Sequence, residues 1–143
     1  MAEVNKSVLV SYSPSHMFTL VDAVEKYSEF LPWCGGTKLI FRDKNLTRAT
    51  IHIAYRCIRQ SFTTENSRQE PHLMEIRLIE GPFKTLQGSW RFTDLGGVGC
   101  KVELSLRYEF ASRMLERLVG PIFGYIANSM VDAFVQRARS CYG

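Results

Sequence analysis

The sequence has little of what metal sites and common catalytic motifs require. Its three histidines, His16, His52 and His72, are scattered without ligand spacing, and no Cys/His cluster is present. No glycine-rich phosphate loop precedes a helical segment, and no G-x-S-x-G nucleophile motif occurs. The acidic residues show no pair in an apolar setting. Because nothing here supplies a metal ligand, a nucleophile or a general base, we predict a protein that is not an enzyme and requires no cofactor.

The chain also lacks the features of secreted and membrane-spanning proteins. The four cysteines, Cys34, Cys57, Cys100 and Cys141, form no C-x-x-C pair, which predicts free thiols in a reducing cytoplasm. The first ten residues contain no basic region followed by an apolar run, so we expect no signal peptide. No uninterrupted apolar stretch approaches the roughly 18 residues that a membrane span needs. We therefore predict a cytoplasmic location.

Apolar residues, in contrast, are plentiful. They make up 45% of the 143 residues, which suffices for one core, and we expect residues 1–143 to form a single domain. The net charge of +4 permits an anionic partner such as RNA or a membrane surface but does not require one.

The end of the chain has the spacing of one long helix. Between Ser112 and Arg139, apolar residues recur every three or four positions, at Leu115, Leu118, Val119, Ile122, Phe123, Ile126, Met130, Phe134 and Ala138. Ser112 is a suitable N-cap. Gly120-Pro121 removes one backbone donor inside the segment. We therefore predict a bent helix whose apolar face lies on a large apolar surface.

The middle of the chain follows the two-residue period of strands. Strands are predicted at 4–12, 38–42, 48–57, 58–66, 73–80, 85–93 and 100–110. Two short helices follow the first strand, the second stopped by Pro32, and Gly35-Gly36 then releases the chain before the next strand. Strands in one block with segregated helices indicate an α+β fold with an antiparallel sheet. A curved sheet of this kind can wrap the long helix. Periodicity alone leaves open whether a packed core or a cavity lies between them.

Three strings resemble a known family. They are YSEFLPWC at 27–34, GPFKTLQGSWRF at 81–92 and AFVQRA at 133–138, supported by SFTT at 61–64 and MFTLVDAVEKY at 17–27. Together they resemble the RatA ribosome-association toxin and coenzyme Q-binding protein family over nearly the whole chain. The resemblance implies a START-like helix-grip fold, in which a curved antiparallel sheet of about six to seven strands wraps a long C-terminal helix. Such domains are also described as polyketide cyclase-like, but no catalytic residue here supports that activity.

The resemblance implies two functions. One is binding of ubiquinone or another polyprenyl lipid between helix and sheet, in support of respiration. The other is binding to the large ribosomal subunit, which blocks its association with the small subunit. The two can coexist, because a cavity and a basic surface occupy different parts of a molecule. We favour the lipid, with the ribosome as the alternative.

Each function predicts its own residues. For the lipid we expect three groups of contacts and Trp90. The groups are a lid beside the cavity mouth (Phe30, Leu31 and Trp33), the opposite rim (Phe83 and Leu86) and the helix face (Ile122, Ile126 and Met130). For the ribosome, whose phosphates attract cations, we expect contacts from Lys38, Arg42, Lys44, Arg48, Arg113, Arg117, Arg137 and Arg139. A lipid-binding protein would also contact a membrane surface transiently, which suggests a place at the periphery of the inner membrane.

Overall fold

Seven strands form one antiparallel sheet in the computed structural model, which describes residues 1–143. The strands are β1 (Ala2–Val10), β2 (Cys34–Arg42), β3 (Leu46–Tyr55), β4 (Ile58–Gln69), β5 (Leu73–Glu80), β6 (Phe83–Asp94) and β7 (Cys100–Phe110). Their order in the sheet is β1-β7-β6-β5-β4-β3-β2. Strands β2 to β7 therefore pair with their neighbours along the chain, and β1 pairs with β7 at one edge.

Three helical elements complete the fold. They are α1 (Pro14–Asp22), a 3₁₀ helix (Val24–Glu29) and α2 (Arg113–Tyr142). The N-cap predicted at Ser112 is confirmed, since Ser112 Oγ accepts from the Leu115 N–H at 3.2 Å. Ser13 caps α1 in the same way, with Oγ accepting from the His16 N–H at 3.1 Å. The α+β architecture with a long C-terminal helix is confirmed as well.

The core lies between α2 and the inner face of the sheet. In β7, Val102, Leu104 and Leu106 are buried while the residues between them are more exposed, as the alternation predicted. From the helix, Phe134 and Ala138 are fully buried against this surface. The side chains of one strand face and one helix face thus build a common core.

The structure differs from the sequence prediction at the start of β2. The strand begins at Cys34 rather than at residue 38, so Gly35-Gly36 lie inside it instead of in a connecting turn. A Cβ at Gly35 would stand 2.7 Å from the Cβ of Ala54 on β3, so the two strands approach too closely there for a side chain. Close strand approach, rather than a turn, explains the first of these glycines.

α2 continues through Pro121 as one helix of 30 residues and does not restart there. Pro121 is exposed, so the carbonyl that lacks its helical partner lies toward water. By length and composition alone α2 could also cross a membrane, because an 18-residue window has a mean hydropathy of 1.4. The core helix of a soluble protein passes the same test, and 33% of this window is buried, so the packing of α2 on the sheet accounts for part of this hydropathy.

Candidate ligand cavity and its lid

A cavity of about 70 Å³ lies between α2 and the inner face of the sheet. Sixteen of its 18 lining residues are hydrophobic, so it suits an apolar group. The lining comprises Val24, Tyr27 and Trp33 near the 3₁₀ helix, Phe123, Ile126, Ala127 and Met130 on α2, and Ala49, Ile51, Phe62, Thr64, Asn66, Met74, Ile76, Leu86, Trp90, Leu104 and Leu106 on the sheet.

Five of the nine residues predicted to contact a lipid lie on this wall, namely Trp33, Leu86, Trp90, Ile126 and Met130. The other four lie elsewhere. Leu31 and Phe83 are buried in the core, and Phe30 and Ile122 pack against it in partly exposed positions. Phe83 stacks on Phe110 with a centroid distance of 4.9 Å, so it belongs to an aromatic cluster rather than to a cavity rim. Contact of any of the nine with a ligand stays a prediction.

The cavity is small. Pockets for drug-sized ligands usually measure roughly 300–1,000 Å³, several times the 70 Å³ found here. A polyprenyl chain therefore does not fit unless part of the wall moves. The structure thus represents a closed conformation with a small enclosed apolar space.

Two polar residues stand out on the apolar wall. Thr64 and Asn66 are the non-hydrophobic lining residues, and both project from the inner face of β4. Asn66 Nδ2 donates to Met74 Sδ at 3.8 Å, while Asn66 Oδ1 is buried without a hydrogen-bond partner. Sequence reasoning predicted a strand at 58–66 but did not assign Thr64 and Asn66 to a face of it, and so missed both residues.

Tyr27 contributes its ring to the wall but not a reactive group. Its hydroxyl donates to the carbonyl oxygen of Val21, and burial raises the pKa of Tyr27 far above its ordinary value. The phenol therefore stays protonated at neutral pH, and its hydroxyl stays hydrogen-bonded to the Val21 carbonyl oxygen.

Residues 24–33, which we call the lid segment, close one side of the cavity through Val24, Tyr27 and Trp33. Two ion pairs fasten this segment to its surroundings. Arg42 on β2 binds Glu25 at 2.9 Å, and Arg137 on α2 binds Glu29 at 2.7 Å. The Arg137 guanidinium also lies 4.8 Å from the ring centroid of Phe30. The lid segment is thus held by charged contacts at Glu25 and Glu29, and at its end by a backbone hydrogen bond in which the Ala54 N–H of β3 donates to the Trp33 carbonyl oxygen at 2.8 Å.

The residues predicted to bind the ribosome fall into two groups. Arg42, Arg48 and Arg137 already form ion pairs, Arg48 with Glu65 at 2.7 Å. Lys38, Lys44, Arg113, Arg117 and Arg139 are exposed and form no ion pair. The four arginines on α2 stand at opposite ends of the helix, two at each end, about 30 Å apart. The eight side chains therefore do not form one patch.

The chain matches a family described as polyketide cyclase / dehydrase and lipid transport over residues 10–135. It is 41% identical over 143 residues to a Vibrio cholerae protein named Ribosome association toxin RatA, covering 100% of this chain and 99% of that protein. It is 28% identical over 145 residues to a Xenopus laevis protein named Coenzyme Q-binding protein COQ10 homolog B, mitochondrial, covering 99% of this chain and 59% of that protein.

Among solved structures, a START superfamily protein from Mycobacterium smegmatis superposes with a TM-score of 0.72 at 17% identity, covering 94% of this chain and 97% of that one. At this identity the likeness concerns the fold alone. It confirms the START-like fold that the resemblance predicted.

Proposed function

The chain belongs to the polyketide cyclase / dehydrase and lipid transport family, in the group of RatA and the coenzyme Q-binding proteins, and from this premise we propose that it binds a polyprenyl quinone or similar lipid. The observation that carries the proposal is the apolar cavity beneath the lid segment, with 16 hydrophobic residues among 18. Burial of apolar surface contributes about 25 cal/mol per Å², so a long isoprenoid tail gains affinity with few polar contacts.

Ligand entry requires the lid segment to move, since the closed cavity of about 70 Å³ is too small for such a tail. Most of the cost of this motion is the exposure of Val24, Tyr27, Leu31 and Trp33, which are buried parts of the segment. Its fastening ion pairs are partly exposed, with side-chain exposures of 30% and 40% for Arg42 and Glu25 and of 20% and 55% for Arg137 and Glu29. Pairs of this kind contribute only about 0–1 kcal/mol each. Opening the lid therefore costs little in electrostatic energy.

Binding without catalysis is part of the proposal. The two polar wall residues carry an alcohol and an amide, neither of which ionises at neutral pH. The Tyr27 phenol is occupied by the Val21 carbonyl. The wall thus offers recognition groups rather than acid–base groups.

The test is to extract protein purified from its host with organic solvent and to identify the bound molecule by mass spectrometry. Transfer of labelled ubiquinone from vesicles is measured in parallel. Ala127→Leu, which fills the cavity from α2, should abolish uptake, whereas Ala133→Leu, on the same helix outside the lining, should retain it. Absence of any lipid in the extract together with no vesicle transfer would overturn the proposal.

A second function is favoured by one specific observation, the 41% identity over the full chain to a protein named for ribosome association. We propose that the exposed, unpaired cations Lys38, Lys44, Arg113, Arg117 and Arg139 contact phosphates of the large ribosomal subunit, which prevents subunit joining. Such contacts make affinity fall steeply with salt, because each neutralised phosphate releases counterions.

Gradient sedimentation of ribosomes with added protein tests this function. At low salt the protein should migrate with the large subunit and raise the amount of free subunits. The double substitution Arg113→Gln and Arg117→Gln should weaken co-migration and its salt dependence, since these side chains form no internal ion pair. Failure of the wild type to co-migrate at low salt would exclude the function.

Loading and release of a lipid would bring the protein to a membrane surface. Leu39, Ile40 and Phe41 on the edge strand β2 are 40%, 47% and 46% exposed, and Lys38 and Lys44 stand close by in sequence. An apolar patch with cations suits transient contact with anionic headgroups. We propose a cytoplasmic protein that visits the inner membrane, which vesicle flotation with anionic lipid tests: wild type should float and Phe41→Ser should not.

A further inference from the structure

The apolar cavity has one polar spot, in which one acceptor oxygen has no hydrogen-bond donor. Thr64 and Asn66 lie two residues apart on the inner face of β4, and the other 16 lining residues are hydrophobic. Both side chains are nine-tenths or more buried, with residue exposures of 6% and 9%. The oxygen Asn66 Oδ1 is buried and has no partner.

The orientation of the Asn66 amide determines what is missing. Its nitrogen donates to Met74 Sδ at 3.8 Å on the neighbouring strand β5. The amide oxygen is therefore the end that remains, and an amide oxygen can only accept. A matching ligand group must donate a hydrogen bond.

The surrounding protein does not supply this donor. Thr47 stands directly opposite Asn66 on β3, but its hydroxyl Oγ1 is itself buried without a partner. The charged side chain of Arg68, next on the inner face of β4, is committed to Asp22 at 2.8 Å. Most buried polar groups in folded proteins are paired, so the unpaired amide oxygen of Asn66 on the cavity wall marks a place where an external group completes the pairing.

We propose that Asn66 and Thr64 form the polar anchor of this cavity, which takes an apolar molecule presenting one hydroxyl group to the amide oxygen of Asn66. This inference rests on the proposed lipid function and specifies the chemistry of its ligand. The Thr64 hydroxyl, beside Asn66 on the wall, is placed to donate to the oxygen of the same ligand group. The apolar remainder of the ligand contacts Trp33, Leu86 and Met130.

The anchor predicts a preference between oxidation states of a quinone. A quinone ring carries only hydrogen-bond acceptors, whereas its reduced quinol carries hydroxyl donors. Two acceptor oxygens facing each other repel, so the quinone leaves Asn66 Oδ1 unpaired and the quinol pairs it. The protein should therefore bind the reduced form more tightly.

The test uses two matched probes, 4-octylphenol and its methyl ether 4-octylanisole, which differ in the single donor. Isothermal titration should show that the wild type binds the phenol at least tenfold more tightly than the ether. Asn66→Leu, of similar shape but without polar atoms, should bring the ratio close to one. Ser67→Ala, the next residue on the opposite, exposed face of β4, should leave the ratio unchanged.

Each outcome decides the inference. Equal affinity of the wild type for the two probes, or a preference retained in Asn66→Leu, overturns the anchor and leaves lipid binding intact. Failure of both probes to bind the wild type overturns lipid binding in this cavity together with the anchor. Should Asn66→Leu not fold, the wild-type ratio and a second comparison, a short-chain quinol against its quinone under anaerobic conditions, decide the matter without the variant.

Discussion

Thr47 and Asn66 face each other across β3 and β4, and each has a buried side-chain oxygen without a hydrogen-bond partner. Three residues further along β3, Thr50 and Thr63 also face each other, but on the outer side of the sheet, and their hydroxyls are hydrogen-bonded at 2.7 Å. The Thr50–Thr63 pair is thus hydrogen-bonded, whereas the Thr47–Asn66 pair is not, and of these four residues only Asn66 lines the cavity. A buried polar atom left unpaired on a cavity wall is typical of a site that is completed by something outside the protein.

Removing the unpaired hydroxyl of Thr47 should not lower the free energy of unfolding appreciably. Thr47→Val replaces a buried hydroxyl that has no partner with a methyl group, so we expect unfolding free energy within ~0.5 kcal/mol of wild type or above it. Thr50→Val, the same change on the same strand, breaks a hydrogen bond and leaves Thr63 unpaired, and should cost ~1–3 kcal/mol. Urea denaturation measures both. A larger loss in Thr47→Val than in Thr50→Val would show that Thr47 has a partner.

Weakening one fastening of the lid segment should speed ligand exchange. Arg137→Gln removes the ion pair with Glu29 and the contact with the Phe30 ring. A partly exposed pair contributes ~0.2–1 kcal/mol, which corresponds to a roughly 1.4-fold to fivefold faster exchange. Release of a bound fluorescent lipid measures the rate. Arg139→Gln, exposed and unpaired on the same helix, is the control, and an equal acceleration there would contradict the role of Arg137.

The carboxylate of Glu65 should make stability depend on pH. Hydrogen bonds from Arg48 and then Arg77 lower the pKa of Glu65 below its ordinary value. A lowered folded-state pKa means that the stabilisation is present above about pH 4.3, the usual pKa of glutamate, and is lost as pH falls below it. The stability difference between wild type and Glu65→Gln should therefore shrink between about pH 5 and pH 3. Glu75→Gln, exposed and without an ion pair, should show no such change.

The four thiols should divide into two classes. Cys57 and Cys141 are exposed, whereas Cys34 and Cys100 are buried. Burial raises the pKa of the Cys34 thiol and raises that of Cys100 to about 11, which lowers the fraction of reactive thiolate. Iodoacetamide at pH 8 should add two groups to the native protein and four after unfolding, as read by intact mass. Rapid modification of Cys34 in the native state would indicate that the neighbouring lid segment opens often.

Replacing Gly124 or Gly88 by alanine should change the unfolding free energy in opposite directions. A Cβ at Gly124, inside α2, would meet no atom within 4 Å, so Gly124→Ala should raise the unfolding free energy by ~1 kcal/mol through helix propensity. Gly88 on β6 packs against the backbone oxygen of Ser105 on β7, where a Cβ would overlap. Gly88→Ala should cost ~1–3 kcal/mol. Thermal unfolding of both variants checks the pair, and a stable Gly88→Ala would show that the two strands can separate locally.

The regular parts of the fold could be predicted because each buried one face. The alternation in β7 and the three-to-four spacing in α2 follow from one apolar side meeting the core, and their positions were predicted closely. β4 obeys no such pattern, since Phe62 to Asn66 are all buried. Its inner side faces the cavity, and Arg48 and Arg77 cover Glu65 on its outer side. Burial on both faces removes the alternation from which a strand's orientation is deduced.

The site itself was predictable only in part. Trp33 and Met130 could be predicted at the cavity, because Trp33 lies in a string that resembles the family and Met130 lies on the apolar face of the helix. The fastening of Glu29 by Arg137 joins residues 108 positions apart, and no local pattern contains that information. For the same reason Arg42, Arg48 and Arg137 were expected to be available to phosphates although each is committed to a carboxylate. Contacts between distant charges require the folded chain.

Arg137 contacts both Glu29 and Phe30, so an external anion that binds Arg137 would weaken both of these contacts with the lid segment. A phosphate that bound the guanidinium would have to displace Glu29 from it, and in doing so would release one contact of the lid segment that closes one side of the cavity. Thermodynamic linkage makes the exchange reciprocal. A lipid that occupied the cavity and displaced the lid segment would expose Arg137 to polyanions. Under the two proposed functions, we therefore expect lipid occupancy of the cavity and affinity for an RNA surface to rise together.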